Sequence, residues 1–255
     1  MTEPTDEKTI AMRKDRIQDT ENVEIASPPV RRYRSLIFQM LLFSAIIAFF
    51  FLTFLVKTTP SFLIDLRITL AIQSINSPIF AGFMWLISWP GFLPQSAIIT
   101  LLVAFVLYAY GLRWESVTSL LASLLSGVTN QLVKDFIRRP RPAVDVVDVF
   151  QVLTSYSFPS GHVMLYTILF GFIWYLTYTL LKRSVLRRFL LGLFGVLILF
   201  VGLSRIYLGQ HWASDVLGAY LLGGLILAGI ILLYQWGKKR FFIHQPAARP
   251  SPEQG

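Results

Sequence analysis

The run Ser35 to Val56 contains no charged side chain. About 20 such residues cross the hydrocarbon core of a bilayer as a helix. Inside that core every backbone N–H and C=O must bond within the protein, so only helices and closed barrels can span it. Five further stretches read as spans: Gln95 to Tyr110, Glu115 to about Arg138, His162 to Leu181, Leu186 to Leu203 and Ala213 to Trp236. Only 15% of residues are charged and the mean hydropathy is +0.60, whereas soluble domains carry about 25% charge. The expected fold is an all-α integral membrane protein, a bundle of about six transmembrane helices.

The segments between and beyond the spans are of other kinds. Met1 to about Val30 mixes charges of both signs with few large apolar residues and has no basic-then-apolar leader. Residues 1–34 are therefore expected to be a polar, disordered or loosely helical tail, with residues 35–236 the membrane domain and 237–255 a second polar tail. Lys57 to Gln73 carries Asp65 and Arg67 among apolar neighbours and is expected to lie along the interface. Ser77-Pro78 opens a helix that Pro90-Gly91 closes, too short to span and so re-entrant or interfacial, with Trp85 and Trp89 at headgroup level. The third span has Ser, Thr, Asn130 and Gln131 along it, and such residues usually face other helices.

The chain has no cysteine, which excludes disulfides and thiol chemistry. Its net charge of +9 could suit nucleic acid, but the basic residues cluster at the ends of apolar runs, as topology signals do. Six spans place Arg31, Arg32, Arg34, Arg113, Lys182, Arg183, Arg187, Arg188, Lys238, Lys239 and Arg240 on one side. The positive-inside rule makes that side, with both termini, cytoplasmic. Lys57 and Arg67 lie opposite, together with an anomalous group: Lys134, Arg138, Arg139, Arg141 and Arg205. Basic residues on that side call for an anion.

Three segments converge there. Lys134 to Pro142 is either an anion clamp or a snorkelling helix end. Pro159-Ser160-Gly161-His162 suits a helix N-terminus, whose free N–H groups attract anions, or is an ordinary cap with an incidental histidine. Ser204 to Asp215 reads as loop before the last span. His211 and Asp215, four apart, share a face if helical, as a reactive pair or as a lock between two helices.

Lys134-x6-Arg141-Pro142, then Pro159-Ser160-Gly161-His162, then Ser204-Arg205-x5-His211-x3-Asp215, in that order, resemble the signature of the type 2 phosphatidic acid phosphatase family, related to vanadium haloperoxidases and bacterial class A acid phosphatases. The resemblance runs from about Gln95 to Trp236. It implies a membrane phosphatase acting on a lipid phosphate or diphosphate; the charge count alone puts its site on the extracytoplasmic face of the cell membrane, and neither a metal nor a cofactor is expected. Phosphatidylglycerophosphate, polyprenyl diphosphate, phosphatidic acid and the phosphates of lipid A are the candidate substrates.

The same resemblance implies the roles. His211 is the nucleophile that becomes phosphohistidine, Asp215 orients its imidazole, and His162 is the general acid for the leaving group. Lys134, Arg141 and Arg205 clamp the phosphoryl oxygens, and Ser160 with the Gly161 N–H completes the cradle. No metal set is expected: there are three histidines, His244 lies in the tail, and Asp145 and Asp148 read as solvated loop carboxylates. Arg138 and Arg139 fall outside the matched positions and are candidates for a second phosphate. Two other readings stay open: a lipid phosphotransferase using the same histidine, and a transporter or structural membrane protein with charges along a pathway.

Overall fold

The computed structural model describes residues 28–59 and 61–242. The expected N-terminal tail up to residue 27, and the C-terminal residues from 243 on with His244, lie outside the described residues. Helices are α1 (Pro28–Thr58), α2 (Leu63–Gln73), α3 (Pro78–Ser88), α4 (Gln95–Ala109), α5 (Arg113–Ile137), α6 (Gly161–Leu165), α7 (Gly171–Leu180), α8 (Val185–Tyr207) and α9 (Ala213–Gly237). Among the described residues there is no strand. The chain divides into two compact units, residues 1–44 and 45–255. The described residues of the first unit are the start of α1, already helical at Pro28.

Within the second unit, α6, a π-helical turn (Tyr166–Phe170) and α7 form one helical rod at the centre. Val163, Met164, Tyr166, Ile168, Leu169 and Phe172 on it are all 0% exposed. A helix apolar and covered all round is a core helix, and α5, α8 and α9 supply the cover. Apolar contact drives helix association weakly where lipid is the alternative, so close approach through small residues carries more weight. Gly223 on α9 provides it: a Cβ there would meet Thr167 Cβ at 3.0 Å. The π turn also aims the buried Tyr166 hydroxyl at the carbonyl of Ile87, 2.6 Å away, which ties the end of α3 to the central rod.

Outward, the pattern inverts. Leu101, Leu102 and Phe105 on α4, Leu199 on α8 and Leu232 on α9 are each more than half exposed. Apolar surface on that scale belongs against acyl chains. Among the described residues four helices are long and apolar enough to cross a membrane: Ser35–Thr58, Gly161–Leu180, Val185–Tyr207 and Ala213–Phe241. α3 and its 3₁₀ extension (Trp89–Gly91) join α4 as a bent pair at 60°, a broken span or a re-entrant loop, which makes a fifth if counted as one. Alone, the 15 residues of α4 rise about 22 Å against a core of about 30 Å. So the expected second span is half of a broken element.

α5 has the length but not the apolarity, because Glu115, Ser116, Thr118, Ser119 and Ser126 line one face; that face is buried against other helices, as polar residues in a bundle require. Lys238–Phe242 continues α9 as a π turn, so the expected C-terminal tail is helical at its start. Lys238 Nζ lies 2.6 Å from the buried Glu115 carboxylate, which also accepts from Tyr234 Oη at 3.0 Å.

The largest correction concerns Ser204 to Asp215. Ser204–Tyr207 is not loop but the end of α8, while α9 begins at Ala213, where the last span was expected. Between them the backbone makes a Schellman cap. Gly209 takes φ +63°, its N–H donates to the Ile206 carbonyl at 3.0 Å, and the Gln210 N–H donates to the Arg205 carbonyl at 3.0 Å. A Cβ on Gly209 would meet the Asp148 carbonyl oxygen at 2.0 Å, so strain and clash act together there. Gly209→Ala is expected to cost at least about 1–3 kcal/mol and to lower the apparent Tm followed by tryptophan fluorescence in detergent. Gly127→Ala, on a helix with nothing within 4 Å of the new methyl, is the comparator and should leave Tm level or raised. Equal Tm for the two variants would contradict this account of the turn.

Candidate functional site

The Schellman cap explains the spacing between Arg205 and His211. The Arg205 carbonyl accepts from Gln210 N at 3.0 Å and from His211 N at 3.3 Å, so the turn folds His211 back beside the guanidinium of Arg205. α9 then starts from Trp212. Asp215, at the third position, accepts from the Trp212 N–H through Oδ2 at 2.8 Å, one half of a capping box. His211 itself is outside the helix, so it meets Asp215 through the capping turn and not along a helix face. Its Nδ1 lies 3.5 Å from Asp215 Oδ2, a loose contact, with side-chain exposures of 3% and 0%.

Asp215 is held firmly by other groups. Arg139 Nη1 donates to its Oδ1 at 2.5 Å, and the Ser157 hydroxyl donates to Oδ2. Arg139 Nη2 donates to Asp65 Oδ2 at 2.7 Å. Both carboxylates and the guanidinium are fully buried. The expectation that Arg139 recognises a second phosphate therefore fails: its fork is committed to two carboxylates. Arg138 caps α5 in the left-handed conformation (φ 58°), exposed, with Nε donating to the Asp135 carbonyl at 3.0 Å.

Arg141 lies in the loop after α5. Its Nη1 donates to the Gln210 carbonyl at 2.6 Å and reaches His211 Nε2 at 3.2 Å; Nε donates to the Ser155 carbonyl at 2.7 Å. A guanidinium has no lone pair to offer. His211 Nε2 must accept, which puts the ring proton on Nδ1, toward Asp215, and leaves the Nε2 lone pair on the cation side. Burial holds the His211 imidazole well below the ordinary histidine pKa, and Arg141, Arg205 and Lys134 reinforce the effect. The ring is neutral at neutral pH.

His162 stands in the first turn of α6, in reach of the charges of Arg205, His211, Lys134 and Arg141. The Phe92 ring meets it edge-on at 4.8 Å, and Gly91 makes room for it, since a Cβ there would sit 2.3 Å from His162 Cδ2. Asn130 Nδ2 fixes the approach to this turn by donating to the Pro159 carbonyl at 3.0 Å. Ser88 adds a wall from α3: it accepts from Arg205 Nη1 at 3.1 Å and shares a 2.8 Å hydrogen bond with Ser204. Gln210 Oε1 accepts from Arg205 Nη2 at 3.3 Å, and Phe92 lies 5.3 Å from the guanidinium carbon.

The charge balance is the telling feature. Lys134 (6% exposed) and Arg205 (0%) are buried and Arg141 is half-buried. Among the described residues none of the three forms a salt bridge, because Arg139 has taken the nearest carboxylate. Buried charge without a counter-charge is expensive. Side-chain polar atoms point the same way: Ser160 Oγ, His162 Nε2 and Arg205 Nε are buried without a hydrogen-bond partner. Groups of this kind suit a doubly charged tetrahedral oxyanion, with the His211 lone pair beside it.

The residues named from the three motifs therefore share one site: Lys134, Arg141, Ser160, Gly161, His162, Arg205, His211 and Asp215. Ser88, Phe92, Ser157 and Gln210 also build it and were not singled out, and Asn130 was read only as facing other helices. Arg139 and Asp65 stood out as charges but were given other roles, Arg139 a second phosphate and Asp65, an acid in an apolar stretch, the interface. Asp65 is in fact 2% exposed. Asp145 and Asp148 are exposed in the loop, as expected. Among the described residues no three His, Cys, Asp or Glu side chains gather as a metal-ligand set.

A family model described as the PAP2 superfamily matches residues 115–241. The chain belongs to the PAP2 superfamily. Phosphatidylglycerophosphatase B of Bacillus subtilis is 32% identical over 139 residues, 53% of this chain and 65% of that protein. Undecaprenyl-diphosphatase of Sulfolobus acidocaldarius is 37% identical over 73 residues, 29% of this chain and 31% of that protein. The chain thus matches less than two thirds of the length of these curated relatives. The crystal structure of a transmembrane PAP2 type phosphatidylglycerolphosphate phosphatase from Bacillus subtilis superposes with a TM-score of 0.68 at 26% identity, covering 78% of this chain and 98% of that one. The Aquifex aeolicus LpxE structure, at TM-score 0.55 and 20% identity over 68% of this chain and 98% of that one, shares the fold. The PAP2 match begins at Glu115, so α2 and Asp65 lie outside it.

An oxyanion that fills such a site should stabilise the fold. At 100 times its dissociation constant a ligand adds about 2.7 kcal/mol, on the order of 5–10 °C in Tm for this size of chain. Tungstate is expected to give such a shift in wild type and in Arg138→Gln, and a much smaller one in Arg205→Gln. The same shift in all three proteins would contradict the assignment of the anion to this cluster.

Proposed function

We propose that this PAP2 protein is a metal-independent lipid phosphatase that works through a phosphohistidine at His211. The observation that carries the reading is the set of three cations without carboxylate partners among the described residues, around a neutral imidazole whose Nε2 lone pair is unprotonated. Lys134, Arg141 and Arg205 bind the phosphoryl oxygens, the arginines through their planar forks, and stabilise the charge that builds in the transition state. Ser160 Oγ and the first N–H groups of α6 complete the cradle.

Substrate oxygens draw off the Arg141 N–H that faces His211, and Nε2 attacks phosphorus. The P–N bond forms as the P–O bond to the lipid breaks, and the leaving oxygen takes a proton from His162. Asp215 accepts from Nδ1–H and stabilises the positive charge the ring acquires. Water then attacks phosphorus, His162 recovers a proton from it, the P–N bond breaks, and inorganic phosphate leaves with His211 neutral again.

The exposed apolar surface around the bundle supports a substrate whose tails remain in the bilayer. The relatives act, by their names, on phosphatidylglycerophosphate and undecaprenyl diphosphate. A phosphatidylglycerophosphate or a polyprenyl diphosphate is accordingly the substrate class proposed here. Counting α5 and the broken α3–α4 element as spans gives six crossings. The basic residues then put both termini in the cytoplasm and the site on the outer face of the cell membrane.

Purified protein in detergent with EDTA should release inorganic phosphate from lipid phosphates. His162→Ala should lower kcat/KM by roughly 10²- to 10⁴-fold, and His211→Ala by more. Full activity in either variant, or loss of activity in EDTA restored by a divalent metal, would overturn the mechanism.

A further inference from the structure

Asp65 raises a question that the PAP2 chemistry does not answer. It sits on α2, outside the matched family region, 2% exposed, in a short helix of otherwise largely apolar sequence. A buried carboxylate is retained at a cost of several kcal/mol unless it is paired and hydrogen-bonded. Both its oxygens are engaged. Oδ1 accepts from the Ser214 N–H at 2.9 Å, and Oδ2 accepts from the Ser214 hydroxyl at 2.5 Å and from Arg139 Nη2 at 2.7 Å. Ser214 in turn accepts from Arg139 Nη1 at 2.7 Å. The residue after Ser214 is Asp215, and the other bond of Arg139 Nη1 goes to it.

The chain of contacts Asp65–Arg139–Asp215 ends 3.5 Å from His211 Nδ1. We propose that Asp65 is a positioning residue for the phosphohistidine reaction, sharing Arg139 with Asp215 so that Asp215 keeps its place and its effective negative charge toward His211. This rests on the phosphatase reading above.

The physical reason is charge sharing. Around His211 the other charged or titratable groups are Lys134 from α5, Arg141 from the following loop, His162 from α6 and Arg205 from α8. Asp215 from α9 is the one carboxylate that faces the ring among the described residues. When His211 bonds to phosphorus, its ring turns cationic among those cations, and Asp215 must offset that. With Asp65 in place the triad carries a net negative charge. Without the Asp65 charge, Arg139 becomes the private counter-ion of Asp215 and quenches it, while Ser214 loses the acceptor that fixes the start of α9. The loss falls on the step that builds charge on His211, so it appears in kcat. Phosphate binding by Lys134, Arg141 and Arg205 is untouched, so KM stays put.

The test uses full-length protein in detergent with a short-chain phosphatidic acid, measuring kcat, KM and apparent Tm. Asp65→Asn is expected to lower kcat roughly 10- to 100-fold, the range for outer partners of reactive groups, with KM within about twofold. Asp65→Glu should recover a large part of kcat. Ser214→Ala, which leaves every charge in place, should lower kcat several-fold, and it decides the matter if Asp65→Asn does not fold. A folded Asp65→Asn or, failing that, Ser214→Ala with lowered Tm and unchanged kcat overturns the proposal and leaves a purely structural tie. Wild type that releases no phosphate from any lipid phosphate overturns the phosphatase reading, and this proposal falls with it.

Discussion

One constraint organises the site: buried positive charge exceeds buried negative charge. Lys134, Arg141 and Arg205 are brought together by the end of α5, the loop after it and the end of α8, and the carboxylate nearest them is already committed. Arg139 holds Asp215 at 2.5 Å and Asp65 at 2.7 Å. That pairing keeps Asp215 from collapsing onto the clamp cations, where it would cancel the field an anion needs. The fold therefore spends one arginine on structure so that three other cations stay available to a ligand. In a low-dielectric setting such a cluster attracts an oxyanion far more strongly than the same residues would in water.

The second consequence concerns His211. Because Arg141 can only donate, its 3.2 Å contact fixes Nε2 as an acceptor and sends the ring proton to the Asp215 side. Burial and the surrounding cations keep the ring neutral. The tautomer and protonation state of His211 thus follow from geometry in the free protein. The walls around it come from the bundle. Ser88 and Phe92 reach in from the broken α3–α4 element, which the Tyr166–Ile87 hydrogen bond anchors to the central rod.

Much of this was legible in the sequence, for identifiable reasons. Apolar runs of span length announced the membrane bundle, and three motifs named eight residues that the fold gathers in one place. Periodicity and composition fail where elements break. The helix of α5 was read over Glu115 to about Arg138, and its polar face only keeps it short of the apolarity of a span, whereas Pro90 and Pro94 hid the fact that α3 and α4 form one bent unit. Ser204 to Tyr207 read as loop because its polar residues mask the last turn of α8, which a tight cap joins to α9. Asp65 and Arg139 were misassigned for a different reason. Each looks anomalous alone, and only tertiary contact, across 74 residues of sequence, shows that they neutralise each other.

The proposed function stands on a covalent intermediate, and that intermediate can be sought directly. Wild-type protein mixed with a ³²P-labelled lipid phosphate and quenched in base within milliseconds should carry label on protein. The label should be stable to alkali, labile to acid, and located by mass spectrometry on His211. Label that is alkali-labile, that sits on another residue, or that persists undiminished in His211→Ala would contradict the account.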